Sequence, residues 1–263
     1  EKTSSGLLAL VVGALSEHAP ELIPSGIAMP DCALAHAPAE PMRKLLLAAI
    51  DRLGPGFVLG MGQQVRRMGF EPVLHVLLRS ETPDVLAGKW QRFEQFTHSN
   101  HRTDVAAGDR GLVLTRRCMA GAGPTLGENL LVYGLLIALL EEIGCEGITA
   151  ELVVGGRSML VVDAGQICLT GESRVGAADC LCLSWRGFDR RLRANPPNLG
   201  GEVRSLAPLL YYGGDERAPY ARRVASRLVG DVGRAWSLEG LAKDIGVLGR
   251  TLQRRLAEEG TSL

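Results

Sequence analysis

One stretch, Thr125 to Ile143 (TLGENLLVYGLLIALLEEI), limits what this chain can fold into more than any other. As a helix it is apolar on nearly every side until Glu141, so it has no face to offer water and must be wrapped by other elements. Gly144 then stops it. A chain of 263 residues is long enough to supply that wrapping in one large domain or two modest ones. No segment approaches the length of a membrane span, so a membrane is not among the expected partners.

The rest of the chain supplies helices first and strands later. Gly6 to Leu15 predicts a buried first helix stopped near Pro20. It is not read as a secretion signal, because only Lys2 precedes it and no small-x-small site follows. Met42 to Leu53 is built of strong helix formers and ends at Gly54-Pro55-Gly56. Pro72 to Leu78 is a short strand or a short helix, which periodicity does not decide. Pro83 opens a helical run through His101 in which Val85, Leu86, Trp90, Phe93 and Phe96 share a broad apolar face. Strands are expected at Leu112 to Cys118, Ile148 to Val154, Ser158 to Val162, Gln166 to Thr170 and Cys180 to Trp185, with glycine-containing turns between most of them. Strands grouped in this way, rather than alternating with helices, predict an α+β fold. Asn195 to Gly201 reads as a loop and Tyr212 to Asp215 as a linker, giving domains at 1–212 and 213–263.

Composition narrows the function classes. Apolar residues make up 46% and charged residues 22%, as in a soluble globular protein, and aromatics only 5%, so the core rests on Leu, Val, Ile and Ala. The six cysteines form no CxxC and no zinc-type spacing, which predicts reduced, buried thiols in a cytoplasmic protein. Cys180 and Cys182 fit one face of a strand better than a redox pair. His98 and His101, at i and i+3, would share a helix face, but nothing of comparable spacing completes a metal site, although Asp104 is near; they read as surface groups. The glycines of 54–62 lack a phosphate-loop lysine, and Gly121 to Pro124 reads as a loop before a helix. With no GxSxG, no HExxH and no paired-carboxylate motif, no cofactor and no enzymatic activity are expected.

Charge is uneven beneath a neutral total of 29 basic and 29 acidic residues. Between Arg217 and Glu259 nine basic residues face five acidic ones, leaving the remainder weakly acidic. That segment suits an anionic partner such as DNA. Its pattern is of small packed helices. Pro219 begins one with an apolar stripe of Ala221, Val224, Ala225, Leu228 and Val229, with Arg222, Arg223 and Arg227 outside it. After a break at 230–235, Ser237 caps a second helix with Glu239 in its first turn and Leu238, Leu241, Ala242 and Ile245 inward. Gly246 ends it, and a third helix begins near Arg250 with Leu252 and Leu256 inward, stopping at Gly260. Two short helices about a tight glycine-containing turn predict a helix-turn-helix whose second helix enters the major groove. Arg250, Gln253 and Arg254 share its exposed face and are the side chains that pair with guanine and adenine edges. Thr251 lies within the same surface, and Arg255 on the flank suits phosphate.

The residues Trp236 to Gly246 (WSLEGLAKDIG) and Arg250 to Leu263 (RTLQRRLAEEGTSL) closely resemble the first helix-turn-helix of AraC-type (AraC/XylS) transcriptional regulators. By that resemblance Arg250, Gln253 and Arg254 hold the family's base-facing positions, and Leu241, Ala242, Leu252 and Leu256 its core. ETPDVLAGKWQRFEQF and GPTLGENLLVYGLLIALLEEIG resemble, more loosely, two central helices of the effector domain in a subset of that family. The resemblance implies a bacterial one-component regulator with a small-molecule effector bound in residues 1–212, of the activator type and acting as a homodimer. By the same resemblance promoter DNA is the expected target and RNA polymerase a further expected partner. Two departures stand out. Leu248 and Gly249 replace the Ser-Pro that usually opens the recognition helix, and the family's second helix-turn-helix would lie beyond Leu263. The competing reading is a small-molecule-binding or enzymatic α+β domain whose C-terminal helices only pack or oligomerise.

Overall fold

The computed structural model describes residues 2–27, 36–67, 72–96, 100–108, 111–119, 121–170, 180–191, 219–230, 234, 236–260 and 262. In chain order the helices are α1 (Ser5–His18), α2 (Ala39–Leu53), α3 (Pro55–Gly60), α4 (Pro72–Leu78), α5 (Pro83–Phe96), α6 (Leu126–Ile143), α7 (Tyr220–Gly230), α8 (Leu238–Ile245) and α9 (Gly249–Glu258). The strands are β1 (Lys2–Ser4), β2 (His36–Pro38), β3 (His101–Gly108), β4 (Gly111–Cys118), β5 (Cys145–Glu146), β6 (Thr149–Val154), β7 (Arg157–Asp163), β8 (Gln166–Ile167), β9 (Cys180–Ser184) and β10 (Gly187–Phe188). The chain divides into two units, residues 1–78 with 82–192 and residues 79–81 with 193–263. None of the described helices is long and apolar enough to cross a membrane.

Helix α6 is the centre of the first unit, and every residue from Gly127 to Leu140 is buried. Its start is fixed by a reciprocal capping box: Glu128 N–H donates to Thr125 Oγ1, and Thr125 N–H donates to the Glu128 carboxylate at 2.8 Å. Gly144, left-handed at φ 117°, closes its end. Helix α2, helix α3 and a short 3-10 helix, Met61–Arg66, pack against it. Glycines make that approach close. A Cβ on Gly134 would lie 1.8 Å from the Leu59 carbonyl oxygen, and one on Gly62 would lie 2.1 Å from the backbone of Gly134. No side chain fits there.

Against α6 also lies a six-stranded antiparallel sheet in the order β3-β4-β9-β6-β7-β8. Its inward rows come from alternate positions, Leu112 and Leu114 on β4, Leu181 and Leu183 on β9, and Ala150 and Leu152 on β6, all buried. The β6–β7 hairpin turns through Gly155 and Gly156, both with positive φ, as the right-handed twist of the flanking strands demands. The α+β fold expected from grouped strands is the fold observed.

A polar network crosses between these layers. Arg116 on β4 donates to Glu94 on α5 at 2.9 Å, to Thr103 on β3 at 3.0 Å, and to Asn129 on α6 at 3.1 Å. The Thr103 N–H and hydroxyl both donate to the Glu94 carboxylate. Arg116 and Glu94 side chains are only 4% and 6% exposed. Removing one partner of a pair buried this deeply leaves an uncompensated charge, at a cost of about 3–5 kcal/mol.

Several expectations need correction. Helix α5 ends at Phe96, so the helical run does not reach His101, which is the first residue of β3 and is buried with Nε2 3.0 Å from the Ala122 carbonyl. It is therefore neither a helix-face partner of His98, which lies outside the described residues, nor a surface group. Pro72–Leu78 is a helix, and β8 spans only Gln166–Ile167 rather than reaching Thr170, although the Cys168 N–H still donates to the Val161 carbonyl of β7 at 2.9 Å. Of the described cysteines only Cys145 is buried; Cys118, Cys180 and Cys182 are half-buried and Cys168 is exposed, and none of them is joined in a disulfide. Cys32, the loop at 195–201 and the linker at 212–215 lie outside the described residues.

Two measurements check this packing. Gly134→Ala should destabilise the fold by about 2 kcal/mol or more in chemical denaturation, because the added methyl meets backbone that cannot yield. Gly88→Ala, on α5 with no atom within 4 Å of its Cβ position, should stabilise by about 0.5–1 kcal/mol through helix propensity. The thiols should also separate chemically. Burial, then the neighbouring Glu141 charge, pushes Cys145 up from 9.0 to about 12, so at neutral pH a maleimide should label Cys168 and leave Cys145 untouched until the chain is unfolded. The folded thiol keeps its proton to higher pH than the unfolded one, so its contribution to stability is intact below pH 9.0 and falls as pH rises towards 12.

Candidate nucleic-acid interface

The second unit has its own small core. Val224 of α7, Leu241, Ala242 and Ile245 of α8, and Leu252 and Leu256 of α9 are buried together, with Tyr220, Ala221, Leu228, Trp236, Leu238 and Val247 packed around them. These positions repeat at three and four residues, so each helix turns one stripe inward. Ala242 is among the most deeply buried of them.

Local chemistry sets the turn between α8 and α9. Ser237 opens α8 by accepting from the Gly240 N–H at 3.0 Å, and Glu239 sits in the first turn, where the helix dipole favours a carboxylate. Gly246 takes the left-handed conformation at φ 81°, and the next N–H, of Val247, donates back to the Ala242 carbonyl at 2.8 Å. That pairing closes the helix and reverses the chain within three residues, 246–248. Helix α9 then begins without help: Leu248 occupies its N-cap with no side-chain hydrogen bond and is 78% exposed. Gly249 follows as the first helical residue.

With Leu252 and Leu256 turned inward, Arg250, Gln253 and Arg254 project from the other side of α9 and are exposed. Thr251 is half-buried beside them, and Arg255 is exposed on the flank, its guanidinium 5.9 Å from the Tyr220 ring centroid. The five residues picked from the sequence thus lie on one short helix, three of them on one face. Not every basic residue of the segment is so placed. Arg223 donates to the Ile245 carbonyl at 2.8 Å, and Arg227 pairs with Asp244 at 2.8 Å. Both are engaged in holding α7 against the end of α8.

Two of the carboxylates counted among the acidic residues of this segment have roles not assigned in the sequence analysis. Glu259 accepts from the Tyr220 and Ala221 backbone N–H groups at 2.8 and 2.7 Å, capping the first turn of α7. Glu258 accepts from Arg254 at 2.9 Å and from Arg255 at 3.1 Å. The spacing of Arg254 and Glu258 along one helix was a visible signal for the second; the first joins residues 38 and 39 apart and had none.

No family model matches the chain, and no curated protein matches it. Among solved structures it is similar to the transcriptional regulator CdpR from Pseudomonas aeruginosa, at 15% identity and a TM-score of 0.42, over 98% of this chain and 80% of that one. A likeness that distant carries no argument about function or family.

Proposed function

We propose that this chain is a transcription regulator that reads promoter DNA with α9. The observation that carries the proposal is the outward face of that helix. Arg250, Gln253 and Arg254 stand free of the core on the side away from Leu252 and Leu256, while α8 and the left-handed Gly246 brace the helix from behind. Side chains of this kind at this spacing meet base edges when a helix lies in the major groove. Arg255, and Thr251 beside the face, supply backbone contacts that set position rather than sequence. The alternative in which the C-terminal helices only pack or oligomerise calls for Arg250, Gln253 and Arg254 to be sealed against another surface, and in the single chain they are exposed. The AraC-type resemblance supports the assignment to that family and, with it, a homodimer, contact with RNA polymerase and activation of transcription. The first unit is then the effector domain, its small molecule bound where the helices around α6 meet the sheet. The effector acts by binding one conformation of the protein more tightly than another.

Two outcomes are expected. Leu248→Ser gives α9 the cap it lacks, and should raise the stability of the helix-turn-helix by about 1 kcal/mol in denaturant titrations followed by far-ultraviolet circular dichroism. Sequences enriched from a randomised duplex pool by the full chain should share a motif, and Arg254→Ala should relax one position of it at a cost of about 1–3 kcal/mol in fluorescence anisotropy. An unchanged motif in that variant would remove Arg254 from base reading.

A further inference from the structure

We infer that Glu258 is a specificity-determining residue, whose carboxylate holds Arg254 and Arg255 back from indiscriminate phosphate contact; the inference rests on the DNA-reading role proposed for Arg254. One side chain serves both guanidiniums, Oε1 taking Arg254 at 2.9 Å and Oε2 taking Arg255 at 3.1 Å, and it is 46% exposed.

The placement of Glu258 is not explained by helix stability. It lies in the last turn of α9, where the carbonyl end of the helix dipole repels a carboxylate. The pair with Arg254 also runs in the weaker direction, with the cation N-terminal to the anion. Its neighbour Glu259 sits equally badly for α9 but is drawn to the amide end of α7. The two arginines are the hydrogen-bond partners that Glu258 has among the described residues.

Exposed ion pairs of this sort are weak, so they exchange readily. To meet DNA, each arginine must trade Glu258 for a new partner while the carboxylate is brought towards the phosphates. Over arbitrary sequence the trade is one charge-assisted contact for another, with repulsion added, and little is gained. Over a guanine, Arg254 gains a bidentate pair that a carboxylate at the helix end does not match in position or shape. Glu258 therefore weakens non-specific binding more than specific binding, and widens the ratio on which site selection depends. It acts through the arginines and is a positioning residue.

The test uses the full chain, a duplex enriched from a randomised pool, and the unselected pool, with anisotropy read across a salt series. Glu258→Gln keeps the shape of the side chain and removes its charge. The expected result is binding to the unselected pool tighter by roughly three- to tenfold, a smaller gain on the enriched duplex, and a slope of log affinity against log salt steeper by about one unit. Glu258→Asp, too short to span both arginines, should fall between wild type and Glu258→Gln while retaining charge. Should wild type discriminate and Arg254→Ala lose that discrimination, yet Glu258→Gln leave both the ratio and the salt slope unchanged, the role of Glu258 is overturned and DNA reading stands. If neither wild type nor any variant distinguishes the two duplexes, the DNA reading fails and the inference falls with it. Overlaid far-ultraviolet circular dichroism spectra confirm that a change in ratio does not come from a lost helix.

Discussion

Nearly everything in the first unit follows from the burial of α6 on all sides. A helix with one apolar stripe can lie on a core; one with none to spare for water must be the core. The sheet covers part of it and the helices α2 and α3 with the 3-10 turn cover another part, and the glycines at 62 and 134 decide how close that second layer comes. Close-packed interiors leave no slack for a methyl group at such a crossing.

Apolar contact by itself does not specify which strand or helix lies where, because it is non-directional. The Arg116 network supplies direction. Its guanidinium reaches one residue on each of α5, β3 and α6, and only one arrangement of the three satisfies it. The desolvation that makes such a group costly in any wrong arrangement is what gives it discriminating power.

Legibility followed sequence distance. Helix α6, the β6–β7 hairpin and the α8–α9 pair could be read from residues because their causes are local: an apolar period, a capping Ser237, a left-handed Gly246, paired glycines at 155 and 156. The outward placement of Arg250, Gln253 and Arg254 followed from the inward placement of Leu252 and Leu256 on the same short helix. Strand β3 could not be read. Its sequence HRTDVAAG carries little β-branched or aromatic content, and it is a strand because β4 pairs along its whole length from His101 to Gly108. The buried network joins residues 9 to 22 apart, and nothing in the spacing of Glu94, Thr103, Arg116 and Asn129 announces it. The Thr125–Glu128 capping box is a T-x-x-E pattern not used in the sequence analysis, although it marks the start of α6. Cysteines misled because their apolar neighbours on a strand point to the opposite face, leaving Cys180 and Cys182 on the side away from α6.

The grip of Glu259 on the first turn of α7 fastens the end of α9 to the start of α7, so that the three described helices of the second unit, α7, α8 and α9, form a closed loop. Because α9 ends where α7 begins, a displacement of the chain entering at Pro219 bears on the far end of the helix that carries Arg254. The carboxylate is thus a strut between the start of α7 and the last turn of the helix that carries Arg254, made without passing through the core that α8 shares with both.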